Sequence, residues 1–220
     1  MSASRKPWAA LFDWDGVIID SAAAHERSWE RLAEENRFPL PEDHFLLGFG
    51  MRNEVIIPEI LRWTTDPYRI RALSLRKESL YREVIRDEGV TPLPGVEPYL
   101  QSLHLAGIPC VVGTSPHLAN VETILDVLQF HRYFQDIVSS EDVRRGKPDP
   151  EVFLLAARKA GTDPENCVVF EDAHHGIQAA KSAGMKAVGV LTTHPGGKLA
   201  GADRLVTRLD ELPLDGSPPV

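Results

Sequence analysis

The stretch Trp8-Ala9-Ala10-Leu11-Phe12-Asp13-Trp14-Asp15-Gly16 decides the fold. The apolar run Trp8 to Phe12 reads as a buried strand, and two carboxylates follow it two residues apart. If strand geometry continues, Asp13 and Asp15 point the same way. Like charges this close need a cation or a shared proton. Ligands of open parallel sheets bind at the carboxyl ends of the strands. The residues just after each strand are therefore the ones to inspect.

Outward from this stretch, four more apolar runs read as strands: Ile108 to Gly113, Asp136 to Ser139, Cys167 to Phe170 and Ala187 to Leu191. A weaker sixth is Arg204 to Val206. Helical patterns lie between them, over Leu118 to Phe130, Pro150 to Ala160 and Ala173 to Ala183. This alternation predicts an α/β protein with a Rossmann-like parallel sheet covered on both faces. One stretch breaks it. From about Ala22 to Asp87 there is only helical periodicity. Ser21 is placed to cap a helix in which His25, Trp29, Leu32 and Ala33 share a face. A second helix is expected over Pro67 to Arg86, with Ile70, Leu73, Leu80 and Val84 in its stripe. The expected organisation is an α/β core of residues 1–20 and 90–220 with a helical insert of residues 21–89. Pro92-Leu93-Pro94-Gly95 marks the return to the core. The segment Leu214 to Val220 reads as a frayed tail.

The 220 residues, 43% hydrophobic and 25% charged, are ordinary for a globular protein and ample for a sizeable core. No apolar run approaches the roughly 18 residues of a membrane helix. The N-terminal residues show no signal-peptide apolar region, which makes a cytoplasmic location the expectation. Cys110 and Cys167 sit in apolar runs and read as two buried thiols rather than a disulfide. A net charge of −8 argues against a general nucleic-acid surface. A small anionic substrate is still allowed, provided a metal, lysines and helix N-termini make its site locally positive.

The remaining strand ends add to the carboxylate pair. Thr114-Ser115 follows the second strand, Gly146-Lys147-Pro148-Asp149-Pro150 the third, and Glu171-Asp172 the fourth. Together, in this order and with a helical insert after the first, these motifs resemble the haloacid dehalogenase-like superfamily. The similarity is to its branch of β-phosphoglucomutase and related small phosphatases, and it covers nearly the whole chain. The resemblance implies a strand order of 5-4-1-2-3 and a helical cap that closes over the site. It also implies an aspartyl-phosphate mechanism on a small phosphorylated metabolite. Asp13 would be the nucleophile, already ionised at neutral pH. Asp15 would be the general acid–base. Thr114 and the Ser115 N–H would hold phosphate oxygens, and Lys147 would neutralise charge. Mg²⁺ would take oxygens from Asp13, the Asp15 backbone carbonyl, Asp172 and Glu171, the last directly or through water. Glu171 also reads simply as a charge at a helix N-terminus.

Asp15 favours an oxygen leaving group, because a halide departs without protonation. In the insert, Ser21 and His25 match a mutase pattern in which the histidine holds the acid–base in place. His25 reads equally as a packing residue beside Trp29 and Leu32. Lys77 aligns with a substrate-contacting lysine of the mutases, or snorkels at the edge of its stripe. Against a mutase, Leu47 and Met51 stand where mutases carry a lysine and an arginine, and Arg52 is displaced by one. Pro116-His117 replaces a serine and a lysine. The expectation is a phosphatase acting on a sugar phosphate, with the mutase as the alternative and a non-catalytic binding member below both. A monomer or weak homodimer is the expected state. His174-His175 is assigned no site.

Overall fold

The computed structural model describes residues 8–48, 51–193 and 199–220. It divides into two compact units, one of Met1–Asp20 with Val90–Val220 and one of Ser21–Gly89.

The first unit is built on a parallel sheet. Its strands are β1 (Ala9–Phe12), β2 (Cys110–Gly113), β3 (Asp136–Val138), β4 (Cys167–Glu171), β5 (Lys186–Val190) and β6 (Arg204–Val206). Their order is β3-β2-β1-β4-β5-β6, and each neighbouring pair is parallel. This contains the expected 5-4-1-2-3 order, with the weak sixth strand added beside β5. Every residue of β1, β2 and β4 is buried, as strands covered on both faces require. The helices of this unit are α5 (Val96–Leu105), α6 (Leu118–Leu128), α7 (Glu151–Ala160) and α8 (His174–Ser182). α7 and α8 bury Val152, Phe153, Ala156, Ile177 and Ala180 in one cluster with Leu11, Val111 and Val169 of the sheet. Cys110 and Cys167 are buried free thiols, and burial raises their pKa values to about 12 and about 11.

The C-terminal segment is anchored, contrary to the frayed tail expected from its composition. Trp8 Nε1 donates to the Gly216 carbonyl at 2.9 Å, and Arg204 donates to that of Pro219 at 3.1 Å. Both partners lie at the opposite end of the sequence or in β6, which composition cannot show.

The second unit contains α1 (Ala22–Asn36), α2 (His44–Gly48), α3 (Asn53–Val55) and α4 (Pro67–Glu88), with a π-type turn over Ile56–Ile60. Trp29, Leu32, Ile56, Ile57, Leu61, Leu73 and Leu80 form its core. Asp66 caps α4 through the Tyr68 N–H at 2.9 Å. Ser21 does not cap α1. Its backbone is already helical, at φ −96° and ψ −3°, and its side chain makes no cap bond. A side-chain cap needs an extended residue at that position. No helix among the described residues is long and apolar enough to cross a membrane.

Candidate active site

β1 lies at the centre of the sheet, so its carboxyl end has neighbours on both sides. The register pairs Phe12 with Val112 of β2 and with Phe170 of β4. The Asp13 N–H continues the ladder to the Phe170 carbonyl at 2.9 Å. The next residue of each strand is then Asp13, Gly113 or Glu171, and the chemistry-bearing residues cluster there.

Thr114 Oγ1 donates to Asp13 Oδ1 at 2.7 Å. Lys147 Nζ stands 2.9 Å from the same oxygen and 2.7 Å from Glu171 Oε1. The loop before α7 carries Lys147. Glu151 Oε2 holds it by accepting from the Arg144 and Arg145 N–H groups, both at 3.0 Å. Burial disfavours the Lys147 ammonium, but the Asp13 and Glu171 carboxylates outweigh it and raise its pKa, so it stays charged.

Beyond Asp13 the chain turns sharply. The Ile18 N–H bonds to the Trp14 carbonyl and the Gly16 N–H to that of Ile19, both at 2.8 Å. Gly16 sits at φ +74°, a left-handed conformation open to glycine. Asp15 is carried on this turn, half-buried.

Glu171 is buried, and both of its oxygens are engaged. Oε1 takes Lys147, and Oε2 accepts from the Ala173 N–H at 2.8 Å. Burial raises its pKa to about 8, with Asp13 and Asp172 adding to the rise and Lys147 opposing it. Asp172 is also shifted upward, first by burial and then by Asp13, against a hydrogen bond from Thr193. Ligand oxygens of Asp13, Glu171 and Asp172 lie within 4.8 Å of one another. Three carboxyl groups face one ammonium here, and a bound cation would favour their ionised forms. The all-oxygen donor set fits a hard ion such as Mg²⁺.

Of the expected site residues, Asp13, Thr114, Lys147, Glu171 and Asp172 are brought together. Asp15 stands on the adjoining turn, and Ser115 is exposed just past Thr114. Three others belong to the helical unit. There His25 and Lys77 meet, with Lys77 Nζ 2.6 Å from His25 Nδ1 and 3.0 Å from Glu78 Oε1. His25 stacks on Tyr81 with ring centroids 4.1 Å apart, and the Lys77 ammonium lies near the Trp29 and Tyr81 rings. Lys77 is 2% exposed, so it does not snorkel. Burial and the neighbouring ammonium lower the His25 pKa to about 3. Arg52 stands apart and exposed, 3.9 Å from Glu54.

Two further features complete the site. Thr192 and Thr193 follow β5, and their hydroxyls bond to the Gly16 carbonyl and to Asp172 Oδ2. Their position just after a strand was the available signal. Gly176 in α8 leaves room for Glu171, whose carboxyl group a Cβ there would overlap. Nothing in the linear sequence marks that contact.

A parallel sheet with acids, a lysine and a threonine converging at its carboxyl edge marks an α/β protein with its candidate site at that edge. A family model described as haloacid dehalogenase-like hydrolase matches residues 9–184, and the chain belongs to that family. It is 36% identical over 208 residues to the chloroplastic 5-amino-6-(5-phospho-D-ribitylamino)uracil phosphatase of Arabidopsis thaliana, covering 93% of this chain and 55% of that protein. The chain thus spans little more than half the length of this relative. Its identity to the fructose-1-phosphate phosphatase YqaB of Escherichia coli is 34%, covering 82% of this chain and 94% of that one. Its identity to the β-phosphoglucomutase of Bacillus subtilis is also 34%, covering 94% and 92%. Among solved structures, CbbY from Rhodobacter sphaeroides in complex with phosphate superposes with a TM-score of 0.79 at 26% identity, covering 94% and 96%.

Proposed function

We propose that the chain is a Mg²⁺-dependent phosphomonoester hydrolase that cleaves a small phosphorylated metabolite, a sugar phosphate by preference, through an aspartyl-phosphate. The observation that carries this reading is the setting of Asp13. One of its oxygens is held by the Thr114 hydroxyl and the Lys147 ammonium, and a second carboxylate follows on the Gly16 turn. A carboxylate fixed by a hydroxyl donor and an ammonium is held in one orientation, as a nucleophile must be.

An Asp13 oxygen attacks phosphorus, and the bond from phosphorus to the leaving oxygen breaks. Asp15 gives its proton to that oxygen. Asp15 then takes a proton from water as the water attacks phosphorus, releasing inorganic phosphate and restoring the Asp13 carboxylate. Lys147 offsets charge on Asp13 and on the phosphoryl oxygens throughout. Thr114 and Ser115 hold the phosphoryl group. Asp13, Glu171, Asp172 and the Asp15 carbonyl would hold Mg²⁺, which when bound supplies positive charge to the phosphoryl oxygens.

A second reading, a phosphosugar mutase, is favoured by the His25–Lys77 contact, since both residues match the mutase pattern. The apolar Leu47 and Met51 weigh against it, because a mutase must grip a second phosphate while its substrate turns.

The test is phosphate release from a panel of sugar phosphates with Mg²⁺, with and without EDTA. We expect release that EDTA stops, Mg²⁺ restores and Asp13→Asn abolishes. Turnover by Asp13→Asn sinks the nucleophile assignment. Supplied with β-glucose 1-phosphate and a trace of the 1,6-bisphosphate, the enzyme should yield free phosphate. Clean conversion to glucose 6-phosphate would favour the mutase instead.

A further inference from the structure

We propose that Thr193 is a positioning residue that fixes the Asp172 carboxylate in the orientation required for cation binding. This rests on the reading of the Asp13, Glu171 and Asp172 cluster as a cation site.

β5 pairs with β4 from Val168↔Lys186 to Glu171↔Gly189. The chain then delivers two consecutive hydroxyls to the edge of the cluster. Thr192 donates to the Gly16 carbonyl and Thr193 to Asp172 Oδ2. A Cβ on Gly16 would meet Asp172 Oδ2, Asp172 Cγ and Thr193 Oγ1 together. Three segments therefore close on one point: the turn after β1, the end of β4 and the end of β5.

The terminal torsion of an aspartate is broad and roughly two-fold, so a carboxylate among like charges has no intrinsic orientation. A hydroxyl donating to one oxygen removes that freedom. Thr193 is itself exposed, whereas Asp172 is 6% exposed. The exposed Thr193 side chain adds little apolar burial, and what it supplies is the hydrogen bond to Asp172 Oδ2 that selects the orientation of the carboxylate. Thr192, on the Gly16 carbonyl, holds the adjoining turn against the same point.

The experiment is calorimetric titration of Mg²⁺ into the full chain, comparing wild type with Thr193→Val, Thr193→Ala and Thr193→Ser, alongside thermal unfolding without metal. Removing a group that orients a metal ligand costs roughly 10–100-fold in affinity, which is the loss expected for the valine and alanine variants. The serine variant should keep wild-type affinity and melting temperature, and the valine and alanine variants should stay folded without metal, melting only a few degrees lower for the lost bond to a buried carboxylate. Wild-type affinity in the valine and alanine variants overturns the proposal. So does equal loss in the serine variant, which would assign the effect to the methyl group. Failure of both hydroxyl-free variants to fold makes Thr193 a structural residue and also overturns it. If wild type itself binds no Mg²⁺, the cation-site reading falls, a result distinct from normal binding by every variant.

Discussion

Lys147 Nζ stands 2.9 Å from Asp13 Oδ1, although the two residues belong to loops at the ends of different strands. The same ammonium reaches Glu171 at 2.7 Å, so one cation holds two carboxylates in place. Lys147→Ala should leave both without it. Turnover is expected to fall by roughly 10²–10³, the usual loss for a preorganised group aimed at transition-state charge. Steady-state kinetics at saturating Mg²⁺ measure it, and a kcat within a few fold of wild type, an order-of-magnitude limit, would remove Lys147 from the machinery.

Asp15 lies on the Gly16 turn rather than in the acidic cluster. Asp15→Ala should slow turnover by roughly 10²–10⁴, the range for a general acid–base. Inorganic phosphate should still bind, because the groups proposed to hold it are untouched. Calorimetry with phosphate separates the two effects, and loss of phosphate binding along with turnover would argue for a structural Asp15.

Gly176 provides a test in which two effects have opposite signs. Alanine in a helix is favoured over glycine by up to about 1 kcal/mol. At this position a Cβ would overlap the carboxyl group of Glu171, a side chain already engaged by Lys147 and the Ala173 N–H. Overpacking a filled site costs about 1–3 kcal/mol, so Gly176→Ala should destabilise the protein despite its helix propensity. Thermal unfolding decides. A variant as stable as wild type would show that Glu171 has room to move.

His25 gives a pH dependence with a definite sign. Its folded pKa is lowered by burial to about 3 from the ordinary 6.5. Between these values the unfolded chain binds the proton more tightly, so stability falls as pH drops through that window. Above about pH 6.5 the residue contributes no pH dependence. The slope it adds is on the order of 1 kcal/mol per pH unit. His25→Phe retains a ring against Tyr81 but cannot titrate. Its melting temperature should therefore fall less steeply from pH 6.5 to pH 4 than that of wild type. Parallel pH profiles would show that His25 is neutral for some other reason, or is not the group that charges.

Much of the site was legible because its residues follow strands. Asp13, Thr114 and Glu171-Asp172 come directly after buried apolar runs, and the sheet's carboxyl edge gathers whatever follows them. The fifth strand obeys the same rule with Thr192 and Thr193, but their pairing with the Gly16 carbonyl and Asp172 is set by tertiary packing alone. Glu171 was legible as a carboxylate but not as a partner of Lys147, which lies 24 residues away in sequence. The His25–Lys77 pair joins α1 to α4 across 52 residues, and no periodicity encodes it.

The sequence by itself determined the parallel sheet, the helical unit after β1 and the carboxylates at the strand ends. Those follow from local patterns: apolar runs, helical spacing, and the residue types placed next to them. Only the tertiary structure decided that Thr114 and Lys147 share one oxygen of Asp13, that both Glu171 oxygens are engaged, and that the C-terminal segment is anchored through Trp8. Each of these is a contact between residues distant in the chain. Sheet register and packing bring them together, and hydrogen-bonding side chains carry no mark of which distant partner they will meet.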